Sequence, residues 1–137
     1  MKTSALLMFA LAMVAVTSCN KYEEGSNFSL LSAKARVVNT WTLTKVEYNG
    51  NDVTGSYPGV KTELKKDNTY TTTFTLGSLS TQESGTWDFN SDKTALIITP
   101  SGETANDAAT IVMLKNNMLK LKDVDGSNTT IITYEGE

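Results

Sequence analysis

The stretch TYTTTFTL, residues 69 to 76, alternates without a break. Tyr70, Thr72, Phe74 and Leu76 fall on one face, and Thr69, Thr71, Thr73 and Thr75 fall on the other. That period of two belongs to a strand with one side packed and the other wet. Just before it, Lys66-Asp67-Asn68 reads as the turn of a hairpin whose first arm is VKTELK, residues 60 to 65. The same grammar extends both ways. TWTLTKVEY (40–48) leads into Asn49-Gly50, a strong hairpin signal. Downstream, ESGTWDF (83–89), TALIIT (94–99), AATIVML (108–114), MLKLKD (118–123) and TTIITYE (129–135) are separated by Asn90-Ser91-Asp92, Pro100-Ser101-Gly102, Lys115-Asn116-Asn117 and Val124 to Asn128. Eight strands on short links favour antiparallel neighbours. The fold class expected is therefore all-β: an eight-stranded antiparallel up-and-down (meander) barrel, which closes on itself and leaves no edge. A two-sheet sandwich is the alternative. One short helix is expected over LLSAKARVV, Leu30 to Val38, with Ser29 as its cap.

The first 30 residues carry a different message. Lys2 is followed by the twelve-residue apolar run Ala5 to Val16, too short to span a bilayer and suited to a signal-peptide core. Val16-Thr17-Ser18-Cys19 then resembles the bacterial lipobox, in which the cysteine receives a diacylglyceryl group and the chain is cut before it. Cys19 is the only cysteine, so no internal disulfide can form. The expected organisation is a lipoprotein signal peptide at 1–18, lipidated Cys19 with a polar flexible tether at 19–29, and a barrel domain at 30–137. At least two acyl chains hold a protein stably on a membrane without a transmembrane helix. Asn20 follows the cysteine where an aspartate would mark inner-membrane retention, so the outer membrane is expected, at its periplasmic face or the cell surface.

Within the barrel region several residues act together. Asn39-Thr40-Trp41 opens the first strand, with Leu43 and Val46 behind it, and Lys66-Asp67-Asn68-Thr69-Tyr70 forms the next marked stretch. Gly85-Thr86-Trp87, and then Leu114, Leu119 and Leu121, complete the set. With these the chain resembles a lipocalin-like domain of the kind found on small Gram-negative lipoproteins, over roughly Ala33 to Glu135. It departs from lipocalins at Asn39, where they have glycine, and in lacking a last-strand arginine to stack on the tryptophan: the only arginine is Arg36. The resemblance implies a barrel that binds a small hydrophobic or amphipathic molecule.

An eight-stranded barrel has room for side chains or for one small ligand. The interior candidates are Leu43, Val46, Leu64, Tyr70, Thr72, Phe74, Trp87, Phe89, Leu119 and Leu121, and Leu76, Leu96 and Ile98 fall on the same apolar faces. Leu43 and Val46 point the same way only across a bulge. Thr72 beside Tyr70 would make a polar spot in an apolar pocket, and Trp41 is expected to plug the closed end against Val37 or Val38. The alternative is a solid barrel that docks on an outer-membrane or cell-surface protein complex.

Other functions find little support. Without histidine, and with the one thiol acylated, Ser–His and Cys–His nucleophilic schemes are excluded, and no enzyme or cofactor is expected. Most of the aspartates are expected in turns: Asp52, Asp67, Asp92, Asp107, Asp123 and Asp125. DVDGSN, residues 123 to 128, lacks the distal glutamate and flanking helices of a calcium loop, so no metal is expected. Twelve basic residues against 15 acidic ones, without a basic cluster, argue against nucleic acid.

Overall fold

The computed structural model describes Tyr22 and residues 32–137. A short helix, α1 (Ala33–Val37), precedes nine strands: β1 (Asn39–Tyr48), β2 (Asn51–Asp52), β3 (Val60–Leu64), β4 (Thr69–Leu76), β5 (Leu79–Phe89), β6 (Ala95–Pro100), β7 (Asp107–Leu114), β8 (Met118–Asp125) and β9 (Asn128–Gly136). From β3 onward each strand pairs with the next, β1 pairs with β3, and β1 also pairs with β9. The sheet is thus closed. β2 is only a two-residue return of β1 across Asn49-Gly50, whose φ angles of 48° and 82° suit a tight hairpin turn. The other eight strands form the antiparallel barrel, at the places the alternation marks.

Register fixes which side chains look inward. Val60, Thr62 and Leu64 of β3 stand opposite Phe74, Thr72 and Tyr70 of β4, and these stand opposite Thr81, Glu83 and Gly85 of β5. Between Leu43 and Lys45 the register of β1 against β9 slips by one residue. Leu43 therefore opposes Tyr134 and Val46 opposes Ile132, so both face the same way across the expected bulge.

One end of the barrel is sealed. Ser32 caps α1 by accepting from the Ala35 N–H at 3.1 Å, three residues later than the Ser29 expected from sequence. Residues 29 to 31 lie outside the described residues, and the described helix begins at Ala33. Trp41 is buried and donates its indole N–H to the Val37 carbonyl at 2.8 Å, which ties the helix across the opening. Arg36 is buried too. Its guanidinium donates to the Leu114 carbonyl at 2.9 Å and lies over the ring of Tyr22, so the lone arginine locks the closed end from the helix rather than from the last strand. The Tyr22 hydroxyl donates to the Lys93 carbonyl at 3.3 Å, in the β5–β6 turn.

Asn68 stitches the next side of this seal. Its backbone is left-handed, with φ 67°, and its side chain donates to the Trp87 carbonyl and accepts from Lys34 at 2.6 Å. Trp87 in turn donates to the Lys65 carbonyl at 3.0 Å. The core of Trp41, Leu64, Tyr70, Trp87, Leu96 and Leu119 fills the barrel just above.

The opposite end is open. The β1–β2 and β8–β9 turns meet there, where Asn49 bonds Thr129 and Asn128. Tyr48, Tyr57, Phe74, Leu76, Leu79 and Val124, the exposed large apolar side chains among the described residues, all belong to this end.

Candidate functional site: the barrel cavity

Above the Trp41 floor the inward side chains do not meet, and a cavity of about 190 Å³ remains. Leu64, Leu96, Ile98, Leu119 and Leu121 supply its apolar wall. Thr62, Tyr70, Thr72, Glu83 and Tyr134 supply its polar points. The hollow follows from residue size along the inward rows: threonines at 62 and 72 stand where a packed centre would need leucine or phenylalanine.

The polar points are arranged in pairs, with one exception. The Thr62 and Thr72 hydroxyls share a hydrogen bond of 2.9 Å across β3 and β4. Tyr70 donates its hydroxyl to a Glu83 carboxylate oxygen at 2.8 Å across β4 and β5. Burial first, and then this bond and charge from Glu83, push the Tyr70 phenol far above its ordinary value. Tyr134 lacks such a partner: burial alone raises its phenol to about 12. Both phenols are therefore neutral at physiological pH and available as hydrogen-bond donors.

Of the ten interior candidates, Leu64, Tyr70, Thr72, Leu119 and Leu121 line the cavity, and five do not. Trp87 lies deeper, in the closed-end core, and Phe89 stands edge-on to it at 5.6 Å. Phe74, opposite Val60 at the first residue of β3, sits beyond the cavity at the rim and is 42% exposed. Val46 is buried beneath the turn after β2, where its N–H donates to the Thr54 hydroxyl at 3.0 Å and its carbonyl accepts from Val53. Leu43 is half-buried on the inward face but does not reach the cavity. Cys19 lies outside the described residues, as do residues 1–18 and, apart from Tyr22, the tether 19–29.

Leu96 and Ile98, expected on the inward apolar faces, also line the cavity, whereas sequence reasoning missed Trp41, Thr62, Glu83 and Tyr134 as lining residues. Period two offered a signal for three of them: Thr62 lies between Val60 and Leu64, Glu83 continues the Gly85-Trp87 row, and Tyr134 lies two residues from Ile132. Among the described residues no group of acids or other ligands is placed to hold a metal ion. The acids instead finish turns. Asp52, Asp67 and Asp92 each accept both the hydroxyl and the backbone N–H of the threonine two residues on.

Comparison with known proteins agrees with this geometry. Residues 37–121 match the lipocalin-like domain family. Among solved structures the chain is similar to japanin from Rhipicephalus appendiculatus, in a crystal form bound to cholesterol. That likeness has a TM-score of 0.54 at 15% identity, covers 77% of this chain and 79% of that one, and speaks to the fold. No curated protein matches the sequence. With its closed eight-stranded barrel, capping helix and matched span, this chain belongs to the lipocalin-like domain family.

Proposed function

We propose that this protein is a lipid-anchored, outer-membrane lipocalin-like lipoprotein that binds a small hydrophobic or amphipathic molecule in its barrel. The observation that carries the reading is the apolar cavity above Trp41, open toward the barrel mouth and edged by a few convergent polar groups. Such a combination is the general form of a small-molecule site. The cholesterol bound to japanin, a barrel of similar fold, supports it. Nothing in the site calls for catalysis: its titratable groups are two neutral phenols and Glu83, and the chain has no histidine.

Anchoring rests on the lipobox at Val16 to Cys19 behind a short apolar run. Two measurements test the two halves. Cys19→Ala should abolish labelling by palmitate and release the protein from membranes, and unchanged labelling would refute the anchor. Native mass spectrometry of the barrel from its host should reveal a copurified small molecule. An empty barrel that also ignores every apolar probe would refute the carrier.

A second reading has its own observation. Tyr57, Val60, Phe74, Leu76 and Leu79 border an open hollow of about 350 Å³ at the rim, with Leu76 and Leu79 more than two-thirds exposed (68% and 72%). Exposed apolar surface of this kind supports docking on an outer-membrane or cell-surface protein complex. Pull-down from native membranes that is lost with Leu76→Asp and Leu79→Asp, but kept with a blocked cavity, would favour docking over cargo.

A further inference from the structure

The size of the cavity limits its contents. An engineered apolar cavity of about 150 Å³ holds benzene, and pockets for drug-sized ligands begin at roughly 300 Å³. The deep part of the barrel, about 190 Å³, has room for one small ring system, and a sterol would have to project from it into the open rim.

Charge limits them further. Among the described residues no lysine or arginine lines the cavity, and Glu83 stands on its wall. A carboxylate brought into that space would lose its water, gain no cation and face a like charge. The occupant is therefore neutral.

One polar contact remains open. The threonine pair and the Tyr70–Glu83 pair are mutually engaged. The Tyr134 hydroxyl, on β9 and half-buried where it lines the same space, has no hydrogen bond with any described residue. A ligand that fills the cavity would strip this hydroxyl of water, and an oxygen on the ligand would replace the lost hydrogen bond.

We infer that the cavity takes a small neutral ring compound bearing one hydroxyl or carbonyl oxygen, which bonds to Tyr134, and that it rejects fatty acids and sterols. The inference rests on the carrier reading above and narrows it to a ligand class.

Calorimetric titration with p-cresol, the near-isosteric p-xylene, octanoate and cholesterol tests it. The expected order is p-cresol ahead of p-xylene, with octanoate and cholesterol far weaker. Tyr134→Phe should weaken p-cresol roughly three- to tenfold, the worth of one net hydrogen bond, and leave p-xylene unchanged. Equal losses for both rings, or no preference for p-cresol in the unaltered protein, would overturn the role of Tyr134. Tighter binding of octanoate or cholesterol would overturn the ligand class while the carrier reading stands. Failure of all four to bind would overturn both. The ranking in the unaltered protein needs no variant to fold.

Discussion

The ring of Tyr70 lies across the bare Cα of Gly85: a methyl group built there would stand 2.9 Å from Cε1 of the tyrosine and would also strike the Thr99 carbonyl. Glycine in mid-strand usually weakens a sheet, and here it makes the space in which the phenol turns toward Glu83. Gly85→Ala should therefore displace Tyr70, break its bond to Glu83 and cost about 1–3 kcal/mol by overpacking. Urea unfolding measures the loss. A variant as stable as the parent would show that the strand relaxes freely at this point.

The two ends of the barrel should respond differently to truncation of an aromatic. Trp41 is 1% exposed and bonded to Val37, so Trp41→Ala should cost about 3–5 kcal/mol. Phe74 is 42% exposed at the rim, and Phe74→Ala should cost less than about 1 kcal/mol. Comparable losses at both sites, again by urea unfolding, would contradict the placement of the cavity between them.

The acid limb of stability should trace to the Asp-x-Thr turns. Bonds from the threonine hydroxyls, seconded by backbone N–H groups, hold Asp52, Asp67 and Asp92 below the ordinary 3.8. A depressed carboxylate contributes stability above its unfolded value and loses it as pH falls through the folded one. The melting temperature should hold steady down to about pH 4 and fall below it. Asp67→Asn with Asp92→Asn should flatten that fall; an identical acid limb in the double variant would exclude these turns as its source.

Tyr134 should govern part of the alkaline limb. Its phenol is raised by burial from the ordinary 10.0 to about 12. A raised group contributes stability that is complete below its unfolded value and is lost as pH climbs through the folded one, here between about 10 and 12. Absorbance at 295 nm of the parent minus Tyr134→Phe should show a transition near pH 12. A difference centred near 10 would mean that the ring is wet.

Strand existence was legible because it is local. Every alternating run and every turn signal from Asn49-Gly50 to Asp125-Gly126 carries its own evidence, and a bulge was required as soon as Leu43 and Val46 were asked to share a face. The height of a residue along the barrel axis is not local, since it depends on strand tilt and stagger. Phe74 and Trp87 thus obeyed the right face at the wrong level. Tyr134 escaped because Ile131 and Ile132 are both apolar, which leaves the phase of the β9 alternation open. Glu83 and Thr62 escaped because a charge or a hydroxyl on a strand reads as outward unless its partner across the sheet is known. The helix cap was expected at Ser29 and lies at Ser32, because a serine side chain three residues later offers the backbone the same acceptor.

Tyr22 leaning on Arg36 and Lys93, and Glu137 bonded back to Thr40, both lie at the sealed end. Three residues of chain reach at most about 10 Å, so an acyl chain on Cys19 would seat the base of the barrel close to the bilayer. The vessel would then stand upright on its lipid, mouth toward the water. Its cargo would be gathered from the aqueous side or handed over by a neighbouring protein, and not skimmed from the membrane beneath.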